Sequence, residues 1–282
     1  MMKIVLPTDF SKNAFHAIVY AAKLLEKTTS IFYLMHAYTP ALYRIDYAFG
    51  SPGQLGLPDD QQNSAQNALE KIRKRLKKKF DNTRHTYMTH AAFNTLEDEV
   101  KNVVKNENVD AIIMGTQGAT GAKEILFGST AVHILKKAEI PVLAVPSEYR
   151  FKPPKQILFP TDYEVDYEKA DLEFLMQVAK SWESHINVLH VSSPEGLTPE
   201  QKRNKKILEK ILPPKSYKVY DLPDQELIHA INGFQENVPI DFLVMIKNKH
   251  SFLERLFVEP VIQNIGLHCK VPFLVLPYNQ KP

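Results

Sequence analysis

The stretch DAIIMGTQGATGAKEILFGSTAVHILKKAEIPVLAVP at residues 110–146 decides the fold, because it returns without a gap as DFLVMIKNKHSFLERLFVEPVIQNIGLHCKVPFLVLP at residues 241–277. Both copies begin with Asp, carry Met at the same later position, and place Pro at the same two sites near their ends. Self-similarity over this length indicates that a whole folding unit occurs twice in the chain.

The repeat continues toward the N-terminal side of each copy. KIVLPTDFS at 3–11 aligns with QILFPTDYE at 156–164, and each is a short apolar run that ends in Pro-Thr-Asp. IFYLMHA at 31–37 aligns with INVLHV at 186–191, and each is an apolar run that reaches a His. The two copies are therefore similar in their first and second apolar runs as well as in their C-terminal parts.

A proline-rich linker separates the two copies. The length of 282 residues suits two average domains. Paired prolines in FKPPK at 151–155 stiffen a short connection. The sequence therefore predicts one domain at 1–150 and a second at 151–282.

Each copy alternates apolar runs with helix-length stretches. The predicted strands lie near 3–8, 31–37, 84–89, 110–115 and 141–145, and then near 156–161, 185–191, 216–220, 241–246 and 272–276. The predicted helices of the first copy lie near 11–27, 62–80, 94–106 and 128–138. Strands rich in Ile, Val and Leu without polar alternation are typical of parallel sheets buried on both faces. The predicted fold class is α/β, with two tandem doubly wound five-stranded parallel sheets of the Rossmann-like kind.

The first copy is longer by an insertion after its second strand, at residues 40–61. This segment contains Gly, Pro and aromatic residues and shows no periodicity. Insertions of this length are either lids or binding loops, or mobile surface segments, and the sequence leaves both open.

A glycine pattern follows the fourth strand of the first copy, where such sheets bind ligands. Gly115 permits a tight turn at the strand end, and Gly118 permits close approach of the backbone to a ligand. Gly128, Ser129 and Thr130 open the fourth helix, where free N–H groups and the helix dipole attract phosphate. The two hydroxyls can donate to phosphate oxygens or cap the helix. The pattern indicates a phosphate cradle or, alternatively, an ordinary glycine-rich turn before a capped helix.

The spacing G-x2-G-x9-G-[S/T] resembles the ATP-binding signature of universal stress proteins, and Gly115, Gly118, Gly128 and Ser129 match it without deviation. The resemblance covers both copies and so nearly the whole chain. It implies a fold like that of adenine nucleotide alpha hydrolases and a site for ATP or AMP. Mg²⁺ would be held mainly by phosphates and water.

The same resemblance implies the adenosine contacts. Asp9 would lie beside the adenosine, with Pro7 and Thr8 on the same wall. Ala37 would face the adenine, and Met114 would sit just ahead of the phosphate loop. The alternative for Asp9 is a carboxylate that caps the following helix.

The second copy departs from the signature, whose four positions become Ile246, Lys249, Glu259 and Pro260. The first two place Cβ atoms in the turn, Glu259 places a negative charge where phosphate would sit, and Pro260 removes an N–H group. Asp162 is retained, which leaves open the binding of an adenosine-like fragment. We interpret the second copy as a degenerate structural partner.

The leading interpretation is an adenine-nucleotide-binding protein of stress response or signalling, whose nucleotide state is sensed by an unknown protein partner. No carboxylate pair for general acid–base chemistry and no His-x-x-x-His metal spacing accompanies the glycine pattern, so we expect at most weak hydrolysis. A slow ATPase or nucleotide hydrolase and a ligand-free interaction module are the alternatives. The apolar fifth strands, IPVLAVP at 140–146 and VPFLVLP at 271–277, would pair edge to edge as an intrachain pseudo-dimer, and a further homodimer is left open.

Composition limits the partners. A net charge of +3 is too mild to indicate nucleic acid as the main partner. The basic run at 71–79 is either a solvated helix face or a patch for anions or a membrane. The single cysteine, Cys269, excludes an intrachain disulfide and suits a reducing compartment. No apolar run approaches the roughly 18–20 residues of a membrane span, and no signal peptide is visible, so we expect a cytoplasmic protein with no membrane partner.

Overall fold

The structure is a computed structural model that describes residues 1–38, 57–116, 127–247 and 271–278. The contacts divide the chain into two compact units, Met1–Met114 and Gly115–Pro282. The boundary between sequence copies near residue 150 stays a prediction. Most of the predicted insertion at 40–61 lies outside the described residues.

The first unit is an alternation of parallel strands and helices. Its elements are β1 (Met2–Pro7), α1 (Lys12–Leu24), β2 (Ser30–Tyr38), α2 (Leu57–Phe80), β3 (His85–Phe93), α3 (Leu96–Glu107) and β4 (Ala111–Gly115), whose last residue opens the second unit. The strand order is β3-β2-β1-β4, and every neighbouring pair is parallel. The carboxyl ends of these strands therefore share one edge of the sheet.

The second unit contains the end of the first copy and all of the second. Its elements are α4 (Ser129–Lys137), β5 (Val142–Val145), β6 (Gln156–Pro160), α5 (Glu173–Trp182), β7 (His185–Val191), α6 (Pro199–Ile211), β8 (Tyr217–Leu222), α7 (Leu227–Asn237), β9 (Phe242–Lys247) and β10 (Phe273–Pro277). The strand order is β5-β10-β9-β6-β7-β8. The β5–β10 pair is antiparallel, and the other neighbours are parallel.

The predicted α/β class with doubly wound, mostly parallel sheets is confirmed. Each sequence copy contributes five strands, and the fifth strands of the two copies pair with each other in register, with Leu274 opposite Leu143. This pairing covers the edge that each fifth strand would otherwise expose. The predicted edge-to-edge contact is thus present inside one chain, whereas a homodimer stays a prediction.

Central strands are buried on both faces, as their continuous apolar sequences predict. Ile4, Val5 and Leu6 of β1 are fully inaccessible to solvent. The outer strand β3 differs, because its first four residues alternate between buried and exposed side chains. Alternation of this kind is typical of a strand with one solvated face.

The Asp that begins each aligned stretch has a structural role at the amino edge. Asp110 Oδ2 accepts a hydrogen bond of 2.6 Å from the Lys3 amide, and the Asp110 amide donates to the Lys3 carbonyl at 2.9 Å. Asp241 Oδ2 accepts from the amides of Lys155 and Gln156 at 3.2 and 3.0 Å. This shared Asp therefore ties the first strand of each copy to the fourth, at the edge opposite to the carboxyl ends of the strands.

Candidate functional site

The Pro-Thr-Asp sequence builds a tight turn at the end of β1. Thr8 Oγ1 accepts a hydrogen bond of 3.0 Å from the Phe10 amide, and Asp9 Oδ1 accepts one of 3.0 Å from the Ser11 amide. Phe10 has a φ of 64°, a backbone conformation that residues other than glycine rarely adopt. Ser11, rather than Asp9, caps α1 through its side chain. The alternative of Asp9 as the helix cap is therefore wrong in its strict form, although Asp9 stabilises the turn that precedes the cap.

The turn presents the carboxylate of Asp9 to solvent. Pro7 and Thr8 are buried, whereas Asp9 is exposed. An ionised carboxylate can accept about four hydrogen bonds. Within the part of the chain that the structure describes, the one bond to the turn leaves the rest of that capacity for another donor, such as a ribose hydroxyl.

The end of β2 is fastened to the same turn. His36 Nδ1 lies 2.7 Å from the carbonyl oxygen of Thr8. Ala37 follows and is half-buried, and it pairs with Ala92 of β3. Met114 lies near the end of β4 and is buried. Because β2, β1 and β4 are parallel neighbours, the five residues predicted for adenosine share the carboxyl edge of the first unit, namely Pro7, Thr8, Asp9, Ala37 and Met114.

An aromatic row at this edge was not predicted from the sequence. The ring of Phe10 lies 4.4 Å from that of His36, which lies 6.2 Å from Tyr38, which in turn lies 5.8 Å from Phe93. Phe10 and Phe93 are 38% and 46% exposed, which is high for phenylalanine. The sequence feature that could have predicted this row is an aromatic residue or His at or just after the end of each of the strands β1, β2 and β3.

The phosphate-cradle residues belong to the second unit, and a hydrogen bond joins Gly128 to the residue that follows Gly115. The Gly128 amide donates to the carbonyl oxygen of Thr116 at 2.7 Å, and the Thr116 amide donates to Val145 at 3.1 Å. Gly115 precedes Thr116 directly, so the two glycine sites meet at the base of the loop. Gly118 lies outside the described residues.

Gly128 does not need to be glycine for conformational reasons. Its φ of −65° and ψ of 156° are extended values that any residue adopts. Its lack of a side chain therefore leaves room beside the start of α4, and it is not needed for the backbone conformation. It also offers no side-chain oxygen to the first turn of α4, which has no side-chain cap.

Among the described residues, no side chain caps the start of helix α4. Ser129 and Thr130 are exposed, and the first helical bond runs from the Val132 amide to the Gly128 carbonyl at 3.0 Å. N–H groups of a first helical turn lack acceptors inside the helix and attract anions together with the dipole. The arrangement can take a phosphate group.

Lys247, at the end of β9, binds the opposite end of this helix. Its Nζ donates to the carbonyl oxygens of Lys136 at 2.9 Å and Ala138 at 2.7 Å. Burial lowers the pKa of Lys247, although Glu139 opposes that shift. A cation at a helix C-terminus is favourable with respect to the helix dipole.

A polar cluster at the edge strand was also missed. His90 Nε2 lies 2.5 Å from Glu99 Oε1, and Asn94 donates to Glu99 Oε2 at 2.9 Å. Burial pushes the pKa of Glu99 upward, but hydrogen bonds from Asn94 and His90 outweigh it and hold that pKa below its usual range. The cluster fastens α3 to β3 and lies outside the predicted nucleotide contacts.

The second copy repeats the strand-end turn. Thr161 Oγ1 accepts from the Tyr163 amide at 3.0 Å, and Asp162 Oδ1 accepts from Glu164 at 3.0 Å. Tyr163 has a φ of 60°, and His190 Nδ1 lies 2.9 Å from the Thr161 carbonyl. The turn is therefore a property of the fold, and the retention of Asp162 does not by itself indicate a ligand.

Within the described ranges, no group of three His, Cys, Asp or Glu side chains could hold a metal ion. In the same part of the chain, no helix is both long and apolar enough to cross a bilayer.

The doubly wound sheets, with a turn at the strand ends, define a class of α/β fold whose ligand sites lie at the carboxyl ends of the strands. The family model described as universal stress protein family matches residues 1–146. The chain belongs to the universal stress protein family.

Individual relatives agree with this assignment. Universal stress protein MJ0577 of Methanocaldococcus jannaschii is 30% identical over 153 residues, which cover 51% of this chain and 93% of that protein. Universal stress protein MJ0531 of the same organism is 29% identical over 148 residues, with 51% and 81% covered. The crystal structure of a universal stress protein from Archaeoglobus fulgidus superposes with a TM-score of 0.65 at 16% identity, over 99% of this chain and 97% of that one. This structural similarity over nearly the whole of both chains shows that the two proteins share their fold.

Proposed function

We propose that the first copy binds one adenine nucleotide, ATP or AMP, and that the chain acts in a stress response through this nucleotide state. The hydrogen bond from the Gly128 amide to the Thr116 carbonyl carries the proposal, because it holds the glycine pair against an uncapped helix start. Two exposed hydroxyls flank that start, at Ser129 and Thr130. Membership of the family supports the same conclusion.

The residues divide into two groups with different roles. The adenosine would contact the strand-end group, Pro7, Thr8, Asp9, Ala37 and Met114. The phosphates would contact the glycine group, Gly115, Gly118, Gly128, Ser129 and Thr130. Mg²⁺ would enter with the phosphates and keep most of its water ligands. In this proposal Asp9 orients the ribose, while its Oδ1 keeps the hydrogen bond from the Ser11 amide.

The first experiment counts and identifies the nucleotide. Protein purified without added nucleotide is denatured, and the released small molecules are identified by mass spectrometry. Calorimetric titration of emptied protein with ATP, AMP and adenosine follows. We expect one adenine nucleotide per chain. Absence of both copurified nucleotide and binding at millimolar ATP would refute the proposal.

A matched pair of variants locates the site. Asp9→Asn keeps the oxygen that accepts the Ser11 amide but removes the charge, and Asp162→Asn makes the same change in the equivalent turn of the second copy. We expect Asp9→Asn to weaken ATP and adenosine binding about 10-fold, the cost of one charged hydrogen bond. Asp162→Asn should leave both affinities unchanged. Equal effects of the two changes would contradict the assignment to the first copy.

A further inference from the structure

The two copies differ in the connection that follows their first strand. Four residues (8–11) join β1 to α1, whereas twelve residues (161–172) join β6 to α5. Both connections begin with the same turn and end at a helix. The additional chain in the second copy is residues 164–171, which we call the crossover segment.

The crossover segment passes over the carboxyl edge of its sheet. The Asp166 amide donates to the hydroxyl of Tyr278 at 3.3 Å, and Ala170 forms an antiparallel bridge with Tyr278. Tyr278 directly follows β10, and β9 lies between β10 and β6 in the sheet. A segment that runs from the end of β6 to the end of β10 therefore crosses the end of β9. The edge between the first and fourth strands of such a copy is the switch point where doubly wound sheets bind ligands.

Side chains of the crossover segment fill this edge. Tyr167 is 1% exposed and Val165 is 4% exposed. The Tyr167 hydroxyl is hydrogen-bonded to Thr161 Oγ1, and its ring packs edge-on against Phe159 of β6 at 6.4 Å. A planar ring with a polar tip thus lies against the residue that aligns with Thr8 of the first copy.

Helix α6 closes the same turn from another side. Asn204 Nδ2 donates to the Tyr163 carbonyl at 3.0 Å, and Gln201 Nε2 donates to the Asp162 carbonyl at 3.0 Å. Tyr163 is fully buried, whereas the equivalent Phe10 is 38% exposed. The same turn is covered in the second copy and accessible in the first.

We infer that the crossover segment is a built-in occupant of the second copy's strand-end cleft, with Tyr167 in the place of a planar ligand, so that this copy takes no nucleotide. The inference concerns the second copy alone and does not depend on nucleotide binding by the first. It adds a physical obstruction to the loss of the phosphate-binding glycines.

Hydrogen exchange on the unmodified chain is the first test. The Asp166 and Lys169 amides have acceptors, in Tyr278 and the Asp166 carbonyl. We expect both amides to be protected, and their protection to be the same with and without saturating ATP. Exchange at the rate of an unstructured loop, or a loss of protection on adding ATP, would overturn the inference.

A cavity variant is the second test. Tyr167→Ala should leave a space with the shape of the lost phenol ring, and such cavities bind small aromatic molecules. We expect p-cresol to raise the Tm of Tyr167→Ala in a concentration-dependent manner and to leave the unmodified chain and the half-buried control Tyr217→Ala unchanged. An equal effect on both variants would contradict a buried pocket. If Tyr167→Ala does not fold, the hydrogen-exchange result decides.

A third measurement asks whether any nucleotide site remains in the second copy. Gly128→Glu introduces into the first copy the residue that occupies the aligned position in the second, Glu259. Titration of this variant with millimolar ATP should give no binding, and adenosine should bind at no more than one site per chain, that of the first copy. An ATP site near one per chain, or a second adenosine site, would show that the second cleft is open and would overturn the inference.

Discussion

Gly128→Ala should separate ligand affinity from stability. The φ of −65° and ψ of 156° at Gly128 accept alanine without strain. Replacing glycine at a compatible site stabilises a protein by about 0.4–1 kcal/mol through the unfolded state. Alanine is a poorer N-cap than glycine, by an amount on the order of 0.5 kcal/mol. These effects oppose each other, so we expect the free energy of unfolding without nucleotide to change by less than about 0.5 kcal/mol.

The same change should weaken ATP binding strongly. A methyl group at position 128 would occupy space beside the amides of the first turn of α4, where the proposal places phosphate oxygens. Loss of one hydrogen bond to a charged group costs about 1.5–3 kcal/mol. This corresponds to a rise in Kd of roughly 10- to 150-fold. Adenosine, which has no phosphate, should bind with unchanged affinity.

Thermal unfolding and calorimetric titration of the same samples measure both quantities. Gly233→Ala is the matched control, because a Cβ at Gly233 in α7 has no atom within 4 Å. That control should gain about 1 kcal/mol of helix stability and keep its ATP affinity. Ser129→Asp offers a second comparison, since a negative charge at the helix start favours the helix and repels phosphate. Unchanged ATP affinity in Gly128→Ala would refute the reasoning.

Three further predictions concern stability. Tyr163→Phe should stabilise the chain by about 1 kcal/mol in denaturant titrations, because the buried Tyr163 hydroxyl finds no hydrogen-bond partner among the described residues. A destabilisation of more than about 1 kcal/mol would show that the hydroxyl does have a hydrogen-bond partner. Lys247→Met should cost about 1–2 kcal/mol, because it removes two hydrogen bonds to the end of α4, whereas the exposed control Lys136→Met should cost little. Glu99→Gln should lower stability at neutral pH and flatten its dependence on acid. The folded-state pKa of Glu99 lies below its usual value, so the contribution of the carboxylate is complete above that usual value and is lost as pH falls through the folded-state pKa; parallel pH profiles of variant and parent would contradict this.

Sequence reasoning succeeded where one residue type has one physical use. The apolar runs that end in Pro-Thr-Asp predicted the first strand of each copy, and β1 and β6 end at Pro7 and Pro160. The spacing of Gly115 and Gly128 predicted that the two glycine sites serve one loop, and the bond from Gly128 to Thr116 closes that loop. Continuous apolar runs predicted strands buried on both faces, and β1 has this property.

The sequence could not reveal features that depend on distant contacts. The retained Asp162 left adenosine binding by the second copy undecided from the sequence. A turn that only stabilises the fold and a turn that binds a ligand can have the same amino-acid sequence. The burial of Tyr167 follows from the path of the crossover segment to Tyr278, which Asp166 contacts across 112 residues of sequence. The aromatic row from Phe10 to Phe93 depends on three strands ending side by side, which their spacing alone does not fix.

Two separate changes point to a single altered role for the second copy. The aligned glycine positions carry Ile246 and Glu259, and the crossover segment covers the strand ends with Tyr167. Each change alone opposes nucleotide binding. The residues at the glycine positions add charge and volume where the phosphates would bind, and the ring of Tyr167 occupies the strand ends where the adenosine would bind. The copy nevertheless keeps its complete set of parallel strands, and its last strand pairs with β5. Because an unpaired apolar β5 would be an exposed edge, we expect the second copy to contribute structure where the first contributes chemistry.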